Sequence, residues 1–194
     1  MLDRAAVNKV FTAALDLQEF CQAQQWQFCF IGGLAVQRWG DPRLTKDADM
    51  TLLTGFRSEE KFIDALLSEF EPRRPDLRAF ALRQRVVLVR HSSGIPFDIA
   101  LGGLPFEENS VRRATGWKVA TDAMLITCSA DDLIVHKAFA GRDLDWGDVE
   151  RIVMRQGRAL KIEQIWSELR PLVALKEEPE ILVKLQKIFD QHLD

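Results

Sequence analysis

The spacing of apolar residues predicts alternating helices and strands in the first part of the chain. Residues 3–24 carry apolar side chains at helical spacing with polar residues between them, which predicts an amphipathic helix. The short aromatic run "WQFCFI" (26–31) predicts a strand that ends at Gly32-Gly33, and "LAVQRWG" predicts a short helix after that turn. After a loop that begins with "DPR", the run "DADMTLL" (47–53) predicts a second strand.

The middle of the chain predicts a further helix, a hairpin and another strand. Ser58 precedes apolar residues that share one side of a helix, and we expect it to cap that helix. The stretch "QRVVLVRHSSGIPFDIALGG" (84–103) predicts two strands joined by a Ser-Ser-Gly turn, with Asp98 interrupting the apolar second strand. "AMLITC" (123–128) predicts one more strand.

The last third of the chain has a helical pattern throughout. "SADDLIVHKAFAG" opens with Ser129 three residues before Asp132, which resembles a capping box, and it closes at Gly141. Three further helical stretches follow from about residue 144. We therefore expect an α/β (α+β) fold. Residues 1–128 would form a small mixed β-sheet flanked by helices, with a C-terminal helical region, 129–194, packed on that core.

Composition places the chain among ordinary globular proteins. Of its 194 residues, 47% are hydrophobic and 28% are charged. No apolar run approaches the roughly 20 residues that span a bilayer, and the first residues lack a signal peptide's apolar centre, so we expect a cytoplasmic protein without membrane partners. The three cysteines lie far apart without metal-ligand spacing, and we expect reduced, partly buried thiols at Cys21, Cys29 and Cys128.

The charge is unevenly distributed along the sequence. A net charge of −3 gives no global attraction for nucleic acid. Between residues 73 and 91, however, only Asp76 opposes six arginines, at positions 73, 74, 78, 83, 85 and 90. Two interpretations are open: this basic stretch contacts phosphates, or it is a solvated face beside an acidic pocket.

Three aspartates on predicted strands are the candidates for chemistry. Side chains alternate across a strand, so Asp47 and Asp49 point to the same side, where two like charges repel. Asp98 lies among apolar residues, where an ionised carboxylate is costly to bury unless it is paired or metal-bound. If strand 95–101 lies beside strand 47–53, the three carboxylates converge, and such a set can hold two Mg²⁺ ions for in-line phosphoryl displacement.

The Gly32-Gly33 turn suits the other half of such a site. Backbone without Cβ atoms lets N–H groups approach a phosphate closely, and the N-terminus of the following helix adds favourable partial charge. Mg²⁺ commonly bridges carboxylates to substrate phosphates. A triphosphate at the glycines and metal ions at the aspartates would therefore form one site.

These motifs, in this order, resemble those of the DNA polymerase beta-like nucleotidyltransferase superfamily. The likeness consists of Ile31-Gly32-Gly33 followed by Asp47-Ala48-Asp49. The run "RLTKDAD" is similar to the Arg–x–Thr–x–Asp–x–Asp run of the AbiEii/AbiGii toxin-type branch. "FDIAL" is similar to its third-carboxylate strand, and "DDLIVHKAFAGRDLDWGDVERI" to its later helical motif. The matching motifs cover roughly residues 28 to 153.

The resemblance implies a nucleotidyltransferase, in which an acceptor hydroxyl attacks the α-phosphate of an NTP and pyrophosphate leaves. By this resemblance Asp47, Asp49 and Asp98 are the catalytic metal ligands, with Mg²⁺ as cofactor. Asp98 would also draw the proton from the acceptor. The implied nucleotide and phosphate contacts are Gly32, Gly33, Arg43, Thr45, Lys137 and Arg142. Asp145 and Asp148 match the later motif without a defined role.

The sequence departs from the family pattern at two positions, and several residues have simpler interpretations. Ala48 stands where the family has a larger aliphatic residue, and Gly33 where serine is common. Arg142 and Asp145 are as well suited to a local salt bridge at Gly141 as to catalysis. The three histidines have no ligand spacing, and Trp146 and Trp166 lie at core-like helical positions, so we expect all five side chains to be structural.

The acceptor is not determined by the sequence. The toxin-type resemblance implies transfer to tRNA 3′ ends or to a protein, with a cognate antitoxin as a further partner. The first alternative is a small-molecule acceptor, as in the antibiotic-type nucleotidyltransferases. The second is a catalytically silent nucleotide-binding partner protein, which three repelling carboxylates disfavour. The preferred NTP and the oligomeric state cannot be read from the sequence.

Overall fold

The computed structural model describes residues 9–193, and the contacts within it divide the chain into two compact units. Residues 1–34 and 44–128 form the first unit, and residues 35–43 and 129–194 form the second. The sequence had placed 35–43 in the core. Residues 3–8 of the predicted first helix lie outside the described residues.

The first unit contains a seven-stranded mixed sheet, which confirms the predicted α/β class. Its strands are β1 (Phe28–Phe30), β2 (Ala48–Leu53), β3 (Glu71–Pro72), β4 (Val86–Arg90), β5 (Pro96–Gly102), β6 (Thr115–Ala120) and β7 (Ala123–Thr127). They are ordered β3-β4-β5-β2-β1-β7-β6, with β2–β5 and β1–β7 parallel and the other pairs antiparallel. The predicted hairpin of β4 and β5 is therefore confirmed, and the two aspartate-bearing strands lie side by side, which was the condition for their carboxylates to meet.

One face of this sheet carries the hydrophobic core. Alternate residues of the strands, such as Met50 and Leu52 on β2 and Phe97 and Ile99 on β5, are fully buried there. Helices α1 (Lys9–Ala23), α3 (Glu59–Glu69) and α4 (Leu77–Gln84) contribute apolar side chains to the same cluster. The intervening strand positions, including those of the aspartates, therefore point to the opposite face.

The opposite face is partly covered by helix α5 (Pro105–Arg113). Ser110 of this helix lies 4.0 Å, oxygen to sulfur, from Cys29 on β1. The sequence did not predict α5, although Pro105 at its start and Glu107 are helix-start signals. The Glu107 carboxylate accepts hydrogen bonds of 2.8 Å from the N–H groups of both Gly103 and Leu104.

The second unit consists of helices joined by short turns. They are α6 (Ala130–Ala140), α7 (Asp143–Gln156), α8 (Ile162–Lys176) and α9 (Glu180–His192), with a 3₁₀ turn at Gly157–Ala159; α2 (Gly32–Trp39) begins in the first unit. The predicted cap of α6 is confirmed, since the Ser129 hydroxyl accepts a 3.1 Å hydrogen bond from the Asp132 N–H. Gly141 ends α6 with φ of 72°, a conformation that glycine adopts without strain.

The remaining structural expectations concern cysteines, tryptophans and membrane helices. Cys21, Cys29 and Cys128 are buried, reduced cysteines, and burial raises the pKa of Cys21 to about 12. Trp146 and Trp166 are buried by packing, as predicted. None of the helices between residues 9 and 193 combines the length and apolar character needed to cross a membrane.

Candidate functional site

Two of the three candidate carboxylates lie directly beside each other in the sheet. Asp49 on β2 and Asp98 on β5 are register partners in adjacent parallel strands. Neighbouring strands are about 4.8 Å apart, and register partners in a parallel pair project from the same face. The pairing therefore places two aspartates that are distant in sequence opposite each other, on the same face of the sheet.

Asp98 is less buried than its apolar neighbours suggested. Its side chain keeps 40% of its surface exposed, because it projects from the face opposite the core. The expectation that this carboxylate is buried among apolar residues is therefore wrong. What makes Asp98 notable is its position opposite Asp49.

The Gly32-Gly33 turn packs against the residues around these carboxylates. Gly32 has a φ of 54°, and a Cβ atom there would lie less than 3.0 Å from Asp49 Oδ2. A Cβ atom on Gly33 would lie less than 3.0 Å from the Thr45 hydroxyl oxygen. Glycine is thus required at position 32 for both backbone conformation and the approach of Asp49.

Asp47 precedes β2 rather than forming its first residue. Its carboxylate accepts a 3.1 Å hydrogen bond from the hydroxyl group of Thr45, which is buried. The contacts Gly33–Thr45–Asp47 and Gly32–Asp49–Asp98 therefore lie in the same part of the first unit. Six of the predicted site residues are gathered in this way: Gly32, Gly33, Thr45, Asp47, Asp49 and Asp98.

One of these carboxylates is paired with Arg73, which no sequence motif marks as a site residue. Arg73 Nη1 donates a short hydrogen bond to Asp98 Oδ1. It follows the two-residue strand β3 at the edge of the sheet. The only sequence signal was its place at the start of the basic stretch, which does not reveal its partner.

The carboxylate oxygens of the site suit a hard divalent cation, although in their present conformations the side chains do not surround a single position for one. Carboxylate oxygens are the ligands that Mg²⁺ prefers, and Asp47, Asp49 and Asp98 would supply them. Within residues 9–193, no three His, Cys, Asp or Glu side chains are grouped closely enough to hold a metal ion. Asp98 is held by Arg73 and Asp47 by Thr45, so a cation would draw both from their present partners.

Below the carboxylates, one buried hydroxyl is left without a hydrogen bond. Thr51 follows Asp49 by two residues on the same face of β2 and has only 1% of its surface exposed. Among buried side-chain nitrogen and oxygen atoms of residues 9–193, its Oγ1 is the one without a partner. Buried polar atoms are normally satisfied, so this oxygen is an exception among the described residues.

The other predicted phosphate contacts lie in the second unit, in a buried ion cluster. Lys137 Nζ is 2.7 Å from an Asp145 oxygen and 2.9 Å from an Asp148 oxygen, and the two aspartate side chains are at most 1% exposed. Arg43 binds Asp148 through two hydrogen bonds of 3.0 and 2.9 Å. Arg142 binds Asp145 at 2.5 and 3.2 Å, which is the local salt bridge considered beside Gly141.

The electrostatics of this cluster favour ionised aspartates. Burial raises the pKa of Asp145, but hydrogen bonds from Arg142 and Lys137 outweigh it, so the net pKa lies below its usual range. For Asp148 the same balance holds, with Arg43 and Lys137 as donors. A phosphate at Lys137, Arg43 or Arg142 would have to compete with these carboxylates, and their role in binding phosphate stays a prediction.

The basic stretch is largely paired within the first unit. Arg74 contacts Asp76, Arg78 contacts Glu60 and Asp64, Arg85 contacts Glu59, and Arg90 lies 3.9 Å from Glu71. These arginines are therefore partly neutralised by nearby acids. The arrangement favours the solvated-face interpretation over a surface built to bind phosphates.

Comparison with known proteins supports the fold. No protein-family model matches the chain, and no curated protein matches it. Among solved structures, it is similar to the crystal structure of an antigenic nucleotidyltransferase-like protein from Paracoccidioides brasiliensis. The identity is 15%, the TM-score 0.51, and the match covers 92% of each chain. At this identity the likeness establishes a nucleotidyltransferase-like fold, while the toxin-type branch stays a prediction.

Proposed function

We propose that this protein is a divalent-cation-dependent nucleotidyltransferase that moves an NMP group from an NTP to an acceptor hydroxyl. The observation that carries the proposal is the register pairing of Asp49 with Asp98 beside the Gly32 turn. Two carboxylates placed opposite each other repel, and such an arrangement is stabilised when a cation lies between them. The nucleotidyltransferase-like fold and the ordered sequence motifs support the same reaction.

The proposed roles follow from the positions of the residues. Asp47, Asp49 and Asp98 would hold Mg²⁺, with two ions expected. The ions would supply charge neutralisation for the triphosphate and a fixed geometry for in-line displacement. The N–H groups at Gly32 and Gly33, at the start of α2, would bind phosphate oxygens of the NTP.

The reaction balances without a further reactant. The acceptor oxygen forms a bond to the α-phosphorus, and the bond from the α-phosphorus to the bridging oxygen of the β-phosphate breaks. Pyrophosphate leaves with that electron pair. The acceptor's proton would pass to the Asp98 carboxylate and then to solvent, which reaches this side chain because 40% of its surface is exposed.

The nature of the acceptor is a finer part of the proposal. The toxin-type motifs favour a tRNA 3′ end or a protein as acceptor, and a neighbouring antitoxin as regulator. The paired arginines of the basic stretch remove one argument for RNA. A small hydroxylated molecule is therefore tested beside RNA and protein.

The test is incubation of the purified protein with each α-³²P-labelled NTP and Mg²⁺, with total RNA, total protein or hydroxylated small molecules as acceptors. We expect label to enter one acceptor class with one preferred NTP, with an equal amount of pyrophosphate released. Asp122→Asn, at an exposed turn, is the matched control for Asp49→Asn, because it removes one carboxylate away from the proposed site. NTP binding without pyrophosphate release under any of these conditions would instead identify a silent nucleotide-binding protein.

A further inference from the structure

The backbone places Arg73 in line with the catalytic candidate Asp98, with strand β4 between them. The Arg73 N–H donates a 3.0 Å hydrogen bond to the carbonyl oxygen of Leu88 on β4. Leu88 is in turn the register partner of Asp98 on β5. Backbone pairing therefore aligns Arg73 with Asp98 across β4, and residues opposite each other in such pairs project from the same face of the sheet.

The side chain of Arg73 completes the contact. Its Nη1 donates to Asp98 Oδ1 and lies 3.5 Å from the Phe97 carbonyl oxygen. Only 28% of the Arg73 side chain is exposed, against 40% for Asp98. The guanidinium group thus lies against the sheet, on the carboxylate that the proposed function assigns to a divalent cation.

We infer that Arg73 is an internal counter-ion that holds Asp98 in the cation-free protein and competes with the divalent cation for it. This inference rests on the proposed function, because it concerns the same carboxylate. Arg73 is a positioning residue: it acts through Asp98 and sets the cation concentration at which the site assembles.

Charge and geometry explain why Arg73 can weaken the binding of a divalent cation to Asp98 without preventing it. The guanidinium N–H occupies one acceptor position of Asp98 Oδ1, and Arg73 repels a divalent ion through its positive charge. The pair is partly exposed, so a divalent ion with two charges and two further carboxylates can displace it.

The test is direct titration with Mn²⁺, followed by the electron paramagnetic resonance signal of the free ion, in wild type, Arg73→Gln and Arg74→Gln. Arg74 is the matched control: it is the adjacent arginine, removes the same charge, and pairs with Asp76 instead. We expect Arg73→Gln to bind Mn²⁺ about three- to fivefold more tightly than wild type, the range that loss of a partly exposed ion pair allows. Arg74→Gln should stay within about twofold of wild type.

The outcomes separate this inference from the proposed function. Wild type that binds Mn²⁺ and transfers nucleotide, with Arg73→Gln binding equally or more weakly, overturns the inference alone. An equal increase in Mn²⁺ affinity in Arg73→Gln and Arg74→Gln also overturns it, since the increase would then result from the change in net charge and not from loss of the contact with Asp98. Wild type and Arg73→Gln that both fail to bind Mn²⁺ would overturn the proposed function as well. Arg73→Lys keeps the charge without the planar fork, and we expect a smaller increase in affinity if Arg73→Gln does not fold.

Discussion

Replacing Asp49 with asparagine is expected to lower nucleotidyl transfer about a thousandfold. The amide keeps the shape that packs against Gly32 but removes the negative charge that would hold the cation. Metal ions contribute several kcal/mol of transition-state stabilisation, and about 4 kcal/mol corresponds to three powers of ten in rate. Steady-state kinetics with the preferred NTP measure this loss in kcat.

Thermal unfolding distinguishes this loss from a folding defect. Without divalent cations, Asp49→Asn is expected to melt at about the wild-type temperature, because asparagine keeps the shape that packs against Gly32 and leaves the Arg73–Asp98 ion pair in place. Asp122→Asn should retain wild-type transfer. A clearly lower melting temperature of Asp49→Asn in the absence of metal would show that the carboxylate is structural, against the proposed role.

Replacing Lys137 with methionine is expected to destabilise the second unit by about 3 kcal/mol. The buried ammonium group contacts both Asp145 and Asp148, and removing one partner of a buried ion cluster typically costs about 3–5 kcal/mol. Arg43 and Arg142 still bind the two aspartates, which places the expected loss at the lower end. Urea unfolding followed by circular dichroism measures the change.

A matched variant and an activity measurement distinguish a structural role of Lys137 in the ion cluster from a contact with the nucleotide. Lys187→Met removes the same group from an exposed position on α9, and its stability should remain within about 0.5 kcal/mol of wild type. If Lys137→Met instead keeps full stability while the KM for NTP rises, the residue contacts the nucleotide as the sequence resemblance implied. Loss of stability with unchanged kinetics per folded molecule assigns it to the ion cluster.

Periodicity was sufficient to predict the elements that carry the aspartates. The alternation in 47–53 and the Ser-Ser-Gly turn in 84–103 are local signals, and both became strands of the sheet. The Gly32 requirement was also readable, since a strand followed by Gly-Gly and a short helix predicts a close backbone approach. The burial of Asp98 was misjudged because its apolar neighbours alternate with it across the sheet.

Features that depend on distant contacts were out of reach of the sequence. Strand β3 has only two residues, so nothing local identifies it, and the partner of Arg73 follows from its pairing with β4. Three of the eight residues of helix α4 are arginine or glutamine, and its apolar side chains form no clear stripe along one side of the helix. The ion cluster brings Arg43 to Asp148 across more than 100 positions, a contact that spacing does not predict.

The central claim is that Asp49 and Asp98 bind one divalent cation together with the nucleotide. The most direct measurement is a crystal structure with Mn²⁺ and an NTP analogue that cannot be cleaved between the α- and β-phosphates. We predict an anomalous peak within about 2.3 Å of an oxygen of each carboxylate, with phosphate oxygens completing the coordination. A nucleotide bound elsewhere, or Asp98 still paired with Arg73 at saturating Mn²⁺ and no peak at Asp49, would contradict the account.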